Sequence, residues 1–405
     1  MADTLTALDI GTTKVSCVIA EYDARAHKFH VIGTGFHACR GVKKGLITNM
    51  DETENAILNA VHMAEKMAST TIQDVVVNIS GKHLLSELLS LSAPLPNQVV
   101  TDDDINALIQ RASYVEAQNN FDVIHAFPLQ YTLDTTQGIK DPRGMMGRSL
   151  TAKMHVVTAD QQVLKNLLHC VHRCHLNVRS VISSSIASGY ATLTEDEMEM
   201  GVTLIDIGGD TTEISIFFEG NVIHTLSIPL GGLHITNDIA HGFNTTLPQA
   251  ERLKTVYGSA LETGDDDKVL MTFSRQGDEK AESRTVKKKY LTQVIKPRIE
   301  EMFDVIKTRL ESSNMYKIAG RRIVLTGGCS QLSSIKIMAA QILGKQVRLG
   351  HPLKVKGDPE IISSPSLSTA AGLLDFAYQD WYHRRTSTQH TSAWASMMAW
   401  VKENF

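Results

Sequence analysis

Apolar positions open the chain in three short runs separated by turns. Residues 6–10 lead into Gly11-Thr12-Thr13, residues 15–20 follow, and residues 29–32 make the third, a pattern that predicts strand, tight turn, strand, turn, strand. The spacing then changes to the helical period. Asp51, with Glu54 three residues on, forms an Asp-led capping box at the start of a helix whose buried stripe is Ile57, Val61, Ala64 and Met67. The same order of strands returns at 202–206, 214–218 and 222–226, with a glycine turn after the first and Gly220-Asn221 before the last. A repeat of about half the chain is far longer than a solenoid period and predicts a duplicated domain, two copies facing across a cleft. Each copy alternates strands with crossover helices, the signature of a layered α/β fold.

Two segments interrupt the repeat. Residues from about 84 to 157 predict a compact insertion with a helix started by Thr101 and carrying Ile105, Leu108, Ile109 and Ala112. Residues from about 229 to 296 predict another, ending in the charged stretch 278–289. Residues 384–392 are polar and predict a linker to a short distinct tail. The length of 405 residues calls for at least two lobes. A net charge of -4 argues against a nucleic-acid binder, and no apolar run approaches a membrane span. The first residues lack a basic region followed by an apolar stretch, so a cytoplasmic protein is expected. Five scattered cysteines predict reduced thiols. The run His169-Cys170-Val171-His172-Arg173-Cys174-His175 is rich in metal-ligand types. Leu164, Leu167, Leu168, Val171 and Cys174 nevertheless mark the stripe of a helix beginning near Thr158, and that is the stronger reading.

The candidate chemistry lies in the turns. In Asp9-Ile10-Gly11-Thr12-Thr13-Lys14, Gly11 permits close backbone approach and positive φ, while the following amides and the Thr12 and Thr13 hydroxyls can donate to phosphate oxygens. Asp9, ending a buried strand, can hold magnesium through water. Asp206-Ile207-Gly208-Gly209-Asp210-Thr211-Thr212-Glu213 offers the same parts from the second copy. One such turn is weak evidence, and two in equivalent places are strong. A third element, the apolar strand 322–326 running into Gly327-Gly328-Cys329-Ser330 and then a helix, suits a flat purine against the backbone.

Those three motifs in this order resemble the actin, sugar kinase and heat-shock chaperone superfamily. Within it the chain resembles the FtsA family of bacterial cell-division proteins over nearly its whole length. Further matches are Ser80-Gly81-Lys82-His83, Ile124-His125-Ala126-Phe127-Pro128-Leu129-Gln130-Tyr131, Asn237-Asp238-Ile239-Ala240, Val294-Ile295-Lys296-Pro297-Arg298 and Leu325-Thr326-Gly327-Gly328. The resemblance implies an actin-like, duplicated RNase H-type α/β fold: two lobes around a nucleotide cleft with an FtsA-type inserted subdomain. The implied division is 1–83 and 158–200 for lobe 1 with the insertion at 84–157, then 201–228 and 301–364 for lobe 2 with a small subdomain at 229–300. A lobe 1 helix follows at 365–383, a linker at 384–392 and an amphipathic helix at 393–405. The implied ligands are ATP and Mg, the ion held through water by Asp9 and Asp206. Glu251 and Lys254, on a helix opened by Pro248, are implied at the ribose and adenine edge, beside Gly327, Gly328 and Ser330. One position departs from the family pattern: Asp210 stands where the family has glycine, and a carboxylate beside a polyphosphate repels it unless it turns away or faces magnesium.

In the tail, Trp394, Met397, Met398, Val401 and Phe405 share one helical face. A helix that short is marginal in water and must dock on its own domain, a partner or a membrane surface. The resemblance favours reversible attachment to the inner membrane. It also implies self-assembly into an actin-like protofilament, recruitment of later division proteins, and docking of the C-terminal tail of the tubulin-like protein FtsZ on Arg284 and Arg298, with Lys287, Lys288 and Lys289 as weaker candidates. The expected function is an ATP-binding cell-division scaffold on the cytoplasmic face of the inner membrane at the division site, with weak or regulatory ATPase activity at most. The alternatives are a type IV pilus assembly ATPase resembling PilM, and a small-molecule kinase of the same fold in which Asp210 serves as base.

Overall fold

The computed structural model describes residues 4–116, 120–274, 283–313, 315–318 and 320–386. Two sheets carry the repeat. In the first, Thr4–Ile10 pairs antiparallel with Lys14–Asp23, which pairs antiparallel with Lys28–Ala38. Asp74–Ile79 and then Asn177–Ser183 add parallel strands on the other side of Thr4–Ile10. The second sheet repeats this order: Asn221–Ile228, Thr212–Phe218, Val202–Ile207, then the parallel strands Arg322–Thr326 and Gln346–Leu349. In each sheet the loop-bearing strand lies beside its hairpin partner and its parallel neighbour, so both loops emerge at carboxyl ends, where open α/β sheets bind ligands.

Alternation within the strands decides which core each residue enters. Along Val202–Ile207, Val202 and Leu204 join the core of lobe 1, while Ile205 and Ile207 join that of lobe 2. Helices Ser184–Thr192 and Ser368–Thr386 fill the space between the sheets and cross in backbone contact. A Cβ on Gly372 would lie 1.8 Å from the Ala187 carbonyl oxygen, and one on Gly189 would lie 2.3 Å from the Phe217 ring. Small residues at this crossing bring the two sheets close enough for their loops to meet.

The insertion forms a third core on the sheet Leu84–Pro94, Ser149–Asp160, Phe121–Leu133 and Thr136–Ile139, covered by helix Asp102–Glu116. Thr101 starts that helix with a reciprocal cap to Asp104, and Ile105, Leu108, Ile109 and Ala112 are buried as expected. The insertion also touches lobe 2: Ser86 Oγ accepts from the Thr225 amide at 3.0 Å and lies 3.2 Å from His224 Nδ1.

Several boundaries differ from expectation. The first helix is Met50–Ala68, capped by Asn49, whose side chain accepts from the Glu52 amide. Asp51 and Glu54 instead reach Arg173 at 2.9 and 2.6 Å. The buried face of that helix is Thr53, Ala56, Ile57, Ala60, Val61 and Ala64, and Met67 is exposed. Small residues prevail there because Gly33 and Gly35 let the helix lie directly on the strand. The helix expected near Thr158 is Gln161–Arg173, capped by Asp160, since strand pairing holds the chain extended to that point. Its stripe, with Cys170, is buried as expected. Residues 355–356, placed with lobe 2 by the sequence, pair with Lys28–Ala38 in lobe 1. The last described helix continues to Thr386, past the linker start expected at 384. Among the described residues, no helix is long and apolar enough to cross a membrane.

Candidate nucleotide cleft

The two loops are built alike and touch. The Gly11 amide donates to the Lys14 carbonyl at 3.0 Å and the Gly208 amide to the Thr211 carbonyl at 2.9 Å. Neither glycine has the positive φ expected of Gly11. Their use is closeness: a Cβ would lie 3.0 and 3.1 Å from those same carbonyl oxygens. A Cβ on Gly209 would sit 2.5 Å from the Thr13 methyl, so the loops meet across the cleft. The carbonyls of Gly208 and Gly209 accept from Gly232 and Leu233, which fastens loop 2 to the start of helix Gly232–Phe243.

Each acidic residue is anchored by a group that sequence reasoning did not single out. Asp9 Oδ1 accepts from Asn78 Nδ2 at 2.8 Å, and Asn78 Oδ1 accepts from the Ile10 amide at 2.7 Å. Burial pushes Asp9 up to about 7, with Lys14 opposing and Asp206 adding to the rise. Asp206 Oδ2 accepts from Ser188 Oγ at 2.5 Å and Thr369 Oγ1 at 3.3 Å, and burial raises it to about 6 against those two hydroxyls. Glu213 Oε1 accepts from Ser227 Oγ at 2.8 Å and from the Gly81 amide of lobe 1 at 3.0 Å. Burial holds it at about 7. Lys14 Nζ donates to Ser366 Oγ at 3.1 Å and sits 5.1 Å from the Phe36 ring centre; burial lowers its pKa. A lone amide at the end of the apolar run Val75-Val76-Val77-Asn78-Ile79 is the signal that could have pointed to Asn78.

Other candidates divide. Lys254 Nζ donates to Glu251 Oε2 at 2.7 Å, Thr236 Oγ1 at 2.8 Å and the Gly232 carbonyl at 3.1 Å, and Thr236 Oγ1 donates to Glu251 at 2.5 Å. A Cβ on Gly232 would lie 3.3 to 3.4 Å from Cys329 and Lys254, so these residues gather beside the Gly327 turn. Gly327 itself has φ +85° and leaves no room for a side chain against Asp206. Ser330 is buried with its hydroxyl on the Gly327 carbonyl at 2.7 Å, bracing the turn, while Gly328 is exposed. Thr212 Oγ1 is taken by the Leu230 carbonyl at 2.8 Å and is unavailable to a phosphate. Asp210 Oδ2 accepts from the Lys44 amide of lobe 1 at 2.9 Å, so one oxygen of the carboxylate proposed as a kinase base is engaged across the cleft.

Away from the cleft, Arg298 is held by Asp238 at 2.5 and 2.9 Å and by Glu301 at 2.5 Å, tying helix Lys288–Ser312 to Gly232–Phe243. Arg284 is exposed on strand Ser283–Lys287. Lys287, Lys288 and Lys289 face Asp266 and Asp267 at 3.1 to 3.5 Å. Trp394, Met397, Met398, Val401 and Phe405 lie outside the described residues.

The family model for cell division protein FtsA matches residues 203–372, and that for the SHS2 domain inserted in FtsA matches 81–158. The cell division protein FtsA of Agrobacterium fabrum is 40% identical over 380 residues, 91% of this chain and 86% of that one. That of Rhizobium meliloti is 38% identical over 418 residues, 99% and 95% of the two chains. The chain belongs to the FtsA family. Membership of FtsA makes it an actin-like cell-division protein. Solved structures bear out the expected fold, with the FtsA insertion as its distinguishing part. A PilM-PilN type IV pilus biogenesis complex superposes with a TM-score of 0.67 at 16% identity, covering 93% of this chain and 99% of that one. MreB5 of Spiroplasma citri bound to ADP gives 0.56 at 14%, covering 95% and 98%. At such identities the likeness to PilM is one of fold and does not favour the pilus alternative.

Proposed function

We propose that the chain is a nucleotide-gated scaffold, binding ATP with magnesium between its two loops and assembling into filaments on the cytoplasmic face of the inner membrane at the division site. The meeting of the loops at Thr13 and Gly209, with Asp9 and Asp206 beneath them, carries this reading. The donor set suits magnesium. Burial favours both protonated carboxyls and Asp206 adds to the rise at Asp9; a divalent cation offsets both effects. Asp9 and Asp206 would hold the ion through water, and the ion would neutralise charge between them and the phosphates. Thr12, Thr13 and Lys14 would bind phosphate from one side and the backbone around Gly208 and Gly209 from the other. Glu251, Lys254 and the Gly327-Gly328 turn would take the nucleoside. The cleft carboxylates are each engaged, Asp9 by Asn78, Asp206 by Ser188 and Thr369, Glu213 by Gly81 and Ser227. In this reading bound nucleotide serves lobe closure and assembly more than turnover.

The test is electron microscopy on lipid monolayers with and without ATP. Filaments are expected only with ATP and lipid together, and a chain ended after Arg385 is expected to form none there and to stay in the supernatant with liposomes. Lipid-bound filaments from the shortened chain would refute the anchor, and filaments indifferent to nucleotide would refute the gate.

The small subdomain of lobe 2 would receive the acidic tail of FtsZ, and the insertion would meet later division proteins. Arg298→Glu would set a third carboxylate between Asp238 and Glu301 and unsettle the subdomain itself. Arg284→Glu avoids that confusion because Arg284 is exposed. It is expected to weaken an FtsZ tail peptide roughly tenfold or more by calorimetry, as reversal of an interface charge does. Unchanged affinity would remove Arg284 from the interface.

A further inference from the structure

We propose that Asp210 is a latch between the lobes, a positioning residue that holds the cleft closed on its ligand. The proposal rests on the reading of the cleft as a nucleotide site. Asp210 sits on loop 2, yet its Oδ2 accepts from the backbone amide of Lys44 in lobe 1 at 2.9 Å. Its Oδ1 lies 3.9 Å from His234 Nδ1 on the helix that fastens loop 2.

The lobe 1 partner is stiff. Val42–Lys43 pairs with Leu46–Ile47, and the Gly41 carbonyl accepts from the Thr48 and Asn49 amides at 2.7 and 3.0 Å. Lys44 and Gly45 both have positive φ, and a Cβ on Gly45 would lie 2.0 Å from the Ser80 carbonyl oxygen, so the hairpin tip is seated on Ser80-Gly81. The next residue of that seat, Gly81, donates its amide to Glu213 at 3.0 Å. Two carboxylates on the 210–213 stretch thus cross to two adjoining backbone amides of the opposite lobe. A carboxylate left free beside a polyphosphate would repel it; one hydrogen-bonded to an amide of the opposite lobe has part of its charge offset and ties the two lobes together.

A second explanation for Asp210, plain electrostatic repulsion of the ligand, predicts different behaviour. Asp210→Asn keeps an acceptor oxygen and removes the charge, whereas Asp210→Gly removes both. The latch requires the two to differ; repulsion requires them to agree. Dissociation of a fluorescent ATP analogue with magnesium, chased by excess ATP, is read alongside hydrogen exchange at the Lys44 amide in ligand-free protein. Asp210→Gly is expected to speed both dissociation and Lys44 exchange about tenfold, the order of one charge-assisted hydrogen bond. Asp210→Asn is expected to speed both only about threefold, since the bond survives without its charge at roughly half its strength. Equal Lys44 exchange in Asp210→Gly and parent, or equally slowed dissociation in both variants, would overturn the latch. Failure of the parent to bind the analogue would instead sink the nucleotide reading, and Lys44 exchange would still decide the latch.

Discussion

Gly327→Val is expected to abolish nucleotide binding and to lower the stability of the fold by about 3 kcal/mol, the scale of a strained backbone combined with an overpacked site. The residue has φ +85°, a conformation in which a β-branched side chain is strained. A Cβ there would fall 2.2 Å from Asp206 Oδ1 and 2.6 Å from the Ile207 carbonyl oxygen. Neither neighbour can give way: Asp206 is pinned by Ser188 and Thr369, and Ile207 is a wholly buried strand residue. The strand 322–326 must therefore shift against its parallel neighbour, displacing the Gly327 turn and Asp206 together. Titration of a fluorescent ATP analogue and thermal unfolding measure the two effects. Gly344→Ala is the control, with φ +63° and nothing within 4 Å of a new Cβ. It is expected to cost only about 1 kcal/mol of strain and to leave binding intact. Equal effects from the two substitutions would show that contact with Asp206 does not matter.

The parts of the fold legible in the sequence are those written locally. Strand alternation and the glycine turns recover both copies of the repeat, because the pattern of residues 6–20 depends on nothing outside it. Thr101 and its helix are local in the same way. The failures share a cause. Asn49, and not Asp51, caps the first helix because Asp51 and Glu54 are drawn to Arg173, far along the chain. Met67 is exposed because two glycines on a strand admit the helix by its small residues. At the cleft the two glycine loops were visible, while Asn78, Ser188, Ser366 and Thr369 were not. Each is an ordinary polar residue whose role exists only once separate elements converge. Asp210 lies between these cases. The sequence shows an unexpected carboxylate, and only the structure shows it facing Lys44.

Acid is expected to act on the seam between the insertion and the rest of the molecule. His125 and His155 are wholly buried, and burial lowers both to about 3; for His155 the neighbouring His224 and His125 add to the fall. His155 Nε2 shares Ser86 Oγ with His224 Nδ1, at 2.8 and 3.2 Å, and His125 Nε2 accepts from the Ser183 amide at 3.0 Å. The unfolded chain takes up these protons below its ordinary histidine pKa near 6.5, while the folded chain resists until about 3. Stability from each ring is thus complete above pH 6.5 and falls as pH drops toward 3, by on the order of 3 kcal/mol per ring at pH 4. Asp9, Asp206 and Glu213 run the other way. Raised carboxyls bind protons in the folded state first and add stability as pH falls from about 7 toward the ordinary carboxylate range near 4. The two trends oppose each other in the whole protein, so its stability profile alone is a poor guide. The comparison that isolates the rings is the parent against His125→Gln/His155→Gln in urea at pH 7 and pH 4. The parent should lose several kcal/mol relative to the variant over that interval, with exchange rising first along residues 84–94 and 221–228, where insertion and lobe 2 meet. Parallel profiles for the two proteins would mean that the rings meet protons equally in both states, and that the seam is open to water.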